Sequence, residues 1–178
     1  PRDEFWNYSL AVGVAGEIIG DRLGCDSEQK GEFFSAGHLH SIGKSILDQY
    51  LHREFVKVME LVREQSIPMY EAEQEVLEIT HCDVGAAILD SWNLPEPIVE
   101  SARYYYRPEE APKEAHQRTV DVIHLGSVLA KTKGYGFSGD THIRYLNEDR
   151  VDALGFSDSE VQQLLNEDFP EKFGTFQS

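Results

Sequence analysis

Positive charge is scarce in this 178-residue chain: sixteen Lys and Arg stand against thirty-two Asp and Glu, a formal net charge of −16. A field of that sign repels a phosphate backbone, so no nucleic acid is expected as a partner. Cysteine is almost absent. Cys25 and Cys82 form no close pair and fit no zinc spacing, which leaves two structural thiols in a reducing, cytoplasmic setting. No apolar run approaches the roughly 18 residues needed to span a bilayer, and "PRDEFWNYSL" lacks the layout of a signal peptide, so no membrane partner is expected. Strand signals are few, and no Asn-Gly or Asp-Gly turn separates two alternating runs. A Gly-x-Ser-x-Gly elbow is missing, and the sequence neighbours His81 and Cys82 point about a hundred degrees apart on a helix, so they make no dyad by adjacency.

What the sequence does contain is helical periodicity. With 40% of residues apolar and 27% charged, the composition is that of a globular protein, and the length suits one domain over residues 1–178. Phe5, Tyr8, Val12, Ala15 and Ile19 share one helical face that Gly24 can end. Asp26 or Ser27 can cap the next helix. The period resumes through Ile46, Leu47, Leu51, Phe55, Val58, Met59 and Val62 and stops at Pro68. "MYEAEQEVLEIT" reads as a short acidic helix. Thr80 and Asp83 form a capping-box signal for a helix burying Val84, Ala87, Ile88 and Trp92. Prolines open "LPEPIVESARYYY", a long amphipathic stretch puts Val120, Ile123, Val128 and Leu129 inward before a Gly-rich stop, and Ser157 with Glu160 caps a last helix. The stretches "RPEEAPKEAH" and "KTKGYGFSGD" read as a solvated and a flexible loop. The expectation is an all-α fold of about seven to nine helices.

Three blocks carry a resemblance: "FSAGHLHSIGKSIL", "EITHCDVGAAILDSWNLPEPIVESARYYYRPEEAP" and "VDVIHLGSVLAKTKGYGFSGD". Their order and spacing resemble the HDOD domain, an output-type branch of the HD metal-dependent phosphohydrolase superfamily found in bacterial signalling proteins. The resemblance implies a single HD-like helical domain. It also implies a further helical segment ahead of "FWNYSLAVGVAG", so the chain, which starts at Pro1, is expected to be the C-terminal part of an HDOD domain.

Active members of the superfamily hold a divalent ion with imidazoles and carboxylates, and such an ion needs several ligands and an open position for water. By resemblance, His40 takes the place of the histidine in the His-Asp doublet, but Ser41 follows it. Tyr8 stands at the early histidine, His81 at a later one, Tyr105 and Tyr106 at the paired histidines, and Ser127 at the closing aspartate. Only His40 and His81 remain as weak metal candidates, and neutral hydroxyls are poor ligands for a divalent ion.

The expectation is therefore a non-enzymatic signalling or protein-interaction domain with no cofactor and no catalytic residue. Its old cleft, lined by Tyr8, His40, Ser41, His81, Tyr105, Tyr106 and Ser127 with Lys44 beside them, would serve as structural core or as pocket for a small polar ligand. Taken residue by residue, His40 reads as a buried histidine with satisfied nitrogens and Lys44 as a surface lysine after Gly43. A protein partner in a signalling pathway is expected, or a second copy in a homo-oligomer if apolar surface lies exposed. The alternative is a phosphohydrolase of nucleotides or cyclic dinucleotides built on His40, His81 and His124, with Asp83 or Asp121 recruited as carboxylate.

Overall fold

The computed structural model describes residues 2–140 and 146–176. Helix α1 (Arg2–Arg22), about 31 Å long at 1.5 Å per residue, runs through the middle of the protein. More than one face of it is buried: Ala11, Val12, Val14, Ala15, Ile18 and Ile19 are all within the core. Each large side chain among them contributes about 1.5–3 kcal/mol by leaving water. Gly24, at a positive φ of 69°, ends the turn after this helix.

Helix α2 (Ser27–Leu39) starts under Asp26, whose carboxylate accepts from the Gln29 N–H, and packs along α1. The approach is close because Gly37 presents no side chain there: a Cβ on it would meet the Val12 carbonyl oxygen at 2.6 Å and the Gly13 Cα at 2.8 Å. Helices α3 (Ile42–Tyr50) and α4 (His52–Gln65) follow. They correct the reading of one continuous helix, since Leu51 leaves helical geometry and ends one helix while opening the next. The apolar period runs through the break, so sequence alone gives no punctuation there. Pro68 then caps α5 (Met69–Leu77).

Helix α6 (His81–Ser91) opens with the expected capping box between Thr80 and Asp83. Its buried face differs from the expected one: His81, Cys82, Gly85, Ala86 and Leu89 are inside, Ala87 is exposed and Trp92 is 54% exposed. Small residues point inward because α3 crosses α6 backbone to backbone at Gly43 and Gly85. A Cβ on Gly43 would collide with the His81 carbonyl oxygen and lie 2.8 Å from the Gly85 nitrogen.

Helix α7 (Glu96–Tyr104) carries the tyrosine run, a short 3-10 turn spans Pro108–Glu110, and α8 (Glu114–Lys133) returns against α1 with Gly134 as left-handed stop. Val120, Ile123 and Leu129 are buried as expected, and Val128 is half-buried. Helix α9 (Glu148–Leu154), which the periodicity did not reveal, is tied to α8 by a two-bond Arg150–Asp121 pair at 2.9 and 2.6 Å. Ser157 and Glu160 form the expected capping box of α10 (Asp158–Gln163), and a π-helical turn over Leu164–Asp168 leads into α11 (Phe169–Phe176). The described residues form no strand. Two apolar clusters result. The larger joins α1, α2, α6, α7, α8 and α11; the smaller gathers Phe5, Leu47, Phe55, Val58, Val62, Met69 and Ala72 around α4 and α5.

A candidate functional site filled by its own polar side chains

The close crossing of α3 and α6 brings His40, at the end of α2, near His81, at the start of α6. Tyr8 of α1, Tyr105 and Tyr106 beyond α7, and Ser127 of α8 converge on the same place. Together with Ser41 and Lys44, these residues are all at most 6% exposed. His40 stands edge-on to Tyr105 at 4.5 Å between ring centroids and to Tyr8 at 5.3 Å. The Ser41 hydroxyl pairs with that of Ser9 at 2.7 Å, and the Ser127 hydroxyl donates to the His124 carbonyl at 2.7 Å.

Lys44 corrects the surface reading outright, being 0% exposed. Its ammonium donates to the Ser138 carbonyl at 2.5 Å and lies 5.8 Å from the centre of the Tyr8 ring. Burial pushes its pKa below the usual lysine range, and Asp140 opposes that shift. The loop expected to be flexible instead lies inward here as a strap. Ser138 and Gly139 are buried, and Asp140 sends its carboxylate in to accept from Lys131 at 2.6 Å and from the Met69 N–H at 2.7 Å. The two ammonium groups hold Asp140 far below the ordinary carboxylate range, overcoming the opposing effect of burial.

Two carboxylates, Glu73 and Asp140, thus enter the site without having been singled out in the sequence. Glu73, 0% exposed, accepts through Oε2 from both the backbone N–H and Nδ1–H of His81, at 2.9 and 2.6 Å. The His81 Nε2 in turn accepts from the Tyr105 hydroxyl at 2.6 Å. A carboxylate can only accept, which fixes the tautomer with the proton on Nδ1. Burial lowers the pKa of His81 despite Glu73, and lowers that of His40 well below its ordinary value, so both rings are neutral at pH 7. The line Glu73–His81–Tyr105 has the connectivity of a carboxylate–base–hydroxyl relay. Burial, however, drives the Tyr105 hydroxyl well above pKa 10.0, and Tyr8 likewise, so neither is an activated nucleophile. Cys82 Sγ lies 3.5 Å from the same His81 Nε2, a nitrogen the Tyr105 hydroxyl already uses.

The carboxylates considered from sequence lie elsewhere. Asp83 is spent on the Thr80 cap, and Asp121 on Arg150 and Gln117. His124 donates through Nδ1 to the Tyr105 carbonyl and accepts through Nε2 from the Asn147 N–H. His40 departs from the expected satisfied histidine: Nδ1 donates to the Gly37 carbonyl at 2.5 Å, but the buried Nε2 has no partner among the described residues.

A divalent ion of the kind the HD superfamily uses does not fit this set. His81 has both nitrogens engaged, Tyr8, Ser41 and Ser127 bring hydroxyls and no carboxylate to the same place, and the ammonium groups of Lys44 and Lys131 occupy the same interior, where they would repel a cation at low dielectric. Among the described residues no group of three or more His, Cys, Asp or Glu is arranged to hold a metal. Nor is any helix among them long and apolar enough to cross a membrane.

Two cavities lie near this interior. One of about 190 Å³, lined in part by Tyr70, Cys82, Arg103, Tyr106 and Arg107, borders it. A larger apolar groove of about 590 Å³ runs along α4, lined by Phe5, Phe55, Val56, Met59 and Phe137 among others. Trp6, Tyr50, Leu51 and Val56 are each at least 40% exposed.

The sequence model of the HDOD domain matches residues 1–108. The fold superimposes at a TM-score of 0.84 on an HDOD domain protein of unknown function from Geobacter sulfurreducens, 23% identical, covering 99% of this chain and 62% of that one. It superimposes at 0.76 on a protein from Marinobacter aquaeolei VT8 with a provisional signal-transduction name, 21% identical, covering 96% of this chain and 37% of that one. For a protein from Shewanella amazonensis SB2B with a provisional phosphohydrolase name the TM-score is 0.67 at 18% identity, covering 97% and 59%. A protein from Treponema pallidum (strain Nichols), named only as uncharacterized, is 26% identical over 113 residues, 64% of this chain and 22% of that protein. These structural likenesses establish the all-α fold. The chain spans less than two thirds of the length of each of these relatives.

Proposed function

The chain belongs to the HDOD domain family, and on that premise we propose that it is a non-enzymatic signalling module in which a degenerate metal site has become a polar core. One observation carries this reading: the ammonium groups of Lys131, paired with Asp140, and of Lys44, bonded to the Ser138 carbonyl, stand among the residues that would otherwise surround a metal. Internal positive charge supplies what an ion would supply to the fold, without an exchangeable position for activated water. The side chains at the former ligand positions are engaged within the protein: Ser41 with Ser9, His81 with Glu73 and Tyr105, Ser127 with the α8 backbone.

Signal output then belongs to the surface. The apolar groove along α4, with Val56 and Phe137 on its walls, supports docking of a protein partner. The module works in a cytoplasmic signalling pathway. The test is hydrolysis of bis(p-nitrophenyl) phosphate by the purified chain with Mn(II), Mg(II) or Zn(II). Background rates are expected throughout. Metal-dependent turnover that disappears in His40→Ala and His81→Ala would overturn the proposal in favour of a phosphohydrolase.

A further inference from the structure

The carboxylate of Asp140 sits in surroundings that are built for an anion. The N–H of Met69, first residue of the nine-residue helix α5, donates to its Oδ1 at 2.7 Å, and Lys131 Nζ donates to its Oδ2 at 2.6 Å. Lys44 Nζ adds a second positive charge within electrostatic range. A helix N-terminus and two ammonium groups, with side chains at most 6% exposed, are the elements of a phosphate site. Here an acidic side chain of the same chain fills it.

A second, independent feature is the imidazole of His40. It is fully buried, lies within electrostatic reach of both Lys44 and Lys131, and keeps Nε2 without a partner among the described residues. With the proton on Nδ1, used by the Gly37 carbonyl, that nitrogen is an acceptor waiting for an O–H. Hydrogen phosphate offers both complements at once, anionic oxygens for Lys131 and the α5 N-terminus and a P–OH for His40. Glu73 is an opposing charge nearby, and its Oε2 is held by His81.

The bearer of Asp140 is a strap, not a helix. Its backbone crosses α1 at Gly136, with a φ of 70°, where a Cβ would collide with the Tyr8 nitrogen and lie 2.6 Å from the Glu4 carbonyl oxygen. Inward it is held by the Lys44–Ser138 and Lys131–Asp140 bonds, and on its outer side by Phe137 N–H to the Glu4 carbonyl at 3.1 Å. Lifting Ser138 and Asp140 together therefore breaks the Lys44–Ser138, Lys131–Asp140 and Met69–Asp140 bonds and frees both ammonium groups.

We infer that this interior is an anion site occupied in cis by Asp140, and that a compact phosphate, free or as a monoester, binds by displacing the Asp140 strap from Lys131 and Lys44. The inference rests on the non-catalytic reading of the same cleft and names its ligand class. Removing the internal competitor raises the fraction of chains open to phosphate, and affinity rises in proportion.

The experiment is calorimetric titration of the whole chain with inorganic phosphate, and separately with adenosine 5′-monophosphate, at constant ionic strength. Asp140→Asn, which keeps an acceptor for the Met69 N–H, is expected to bind about tenfold more tightly than wild type. Adding Lys131→Met to it returns affinity to the wild-type level or below. Binding of both ligands assigns a monoester site; binding of inorganic phosphate alone assigns free phosphate. No gain in a folded Asp140→Asn chain, or a gain that survives Lys131→Met, overturns the inference. Should Asp140→Asn fail to fold, the wild type decides: phosphate is expected to accelerate tryptic cleavage after Lys133 as the strap lifts, and unchanged cleavage counts against it. Hydrolysis of p-nitrophenyl phosphate is followed in the same samples. Binding without turnover supports the inference, turnover refutes the non-catalytic reading while leaving the anion site, and absence of both refutes the inference alone.

Discussion

Replacing Gly43 by alanine tests whether the α3–α6 crossing sets the geometry of the polar interior. In an open helical position the change stabilises, by about 1 kcal/mol, because alanine restricts the unfolded chain. At Gly43 the new Cβ collides with the carbonyl oxygen of His81 and falls 2.8 Å from both the His81 carbonyl carbon and the Gly85 nitrogen. Carbon contacts are comfortable near 3.5 Å, so α3 must retreat by roughly 0.7 Å at least. The obstacle is backbone on a helix, which cannot rotate aside as a side chain can. Overpacking of this kind costs about 1–3 kcal/mol or more; with rigid atoms it takes the upper end and outweighs propensity. The net loss is about 2 kcal/mol, a fall in Tm of roughly 4–8 °C for a chain of this size.

Gly31→Ala is the matched control. It lies exposed within α2 with no atom within 4 Å of its added Cβ, so it should raise Tm by roughly 1–4 °C. Gly85→Ala meets Gly43 N at 3.3 Å and Ile42 Cγ2 at 3.6 Å and should fall between the two. Melting curves followed by circular dichroism give the order. A Gly43→Ala chain melting at or above the wild type would refute the argument.

Three further outcomes follow from the buried network. Glu73→Ala strands two His81 donors in a dry interior and should cost about 3 kcal/mol in urea denaturation, whereas Glu73→Gln, which keeps an acceptor oxygen, costs clearly less. Asp140 has its folded pKa depressed by Lys131 and Lys44, so its stabilisation is present above the unfolded value near 4 and is lost as pH falls below it. Asp140→Asn should therefore be less stable than wild type at pH 7, with the gap closing below about pH 4. His40 is held neutral by burial, so the unfolded chain takes up its proton first and stability falls as pH drops below about 6.5, by up to roughly 1.4 kcal/mol per pH unit. A His40→Asn chain should show a shallower slope between pH 6.5 and 5, and an unchanged slope would place that proton uptake elsewhere.

The parts of this fold legible in the sequence are those written in local chemistry. The Thr80–Asp83 and Ser157–Glu160 capping boxes and the glycine stops at Gly24 and Gly134 depend on residues a few positions apart, and all stand as read. Features set by distant neighbours were not legible. The inward face of α6 is chosen by Gly43 of another helix, which admits only small residues opposite, so the apolar Val84 and Ile88 lose to Gly85 and Ala86. Lys44 looks like a surface lysine until a strap 94 residues later puts a carbonyl against it. Glu73 and Asp140 carry no motif. Their roles come from His81 eight residues on and from Lys131 on a packed helix. The hydroxyls of Tyr8, Ser41 and Ser127 were visible residue by residue, but the burial of Lys44 and Lys131 among them was visible only in three dimensions.

Whether internal ammonium groups or a metal ion occupy this cleft is read from the metal content per chain. The purified protein is incubated with Mn, Fe, Ni or Zn, freed of loose ions and analysed by elemental mass spectrometry. Far less than one ion per chain is expected, unchanged in a His40→Ala, His81→Ala variant. Near-stoichiometric metal that vanishes in that variant would contradict that expectation.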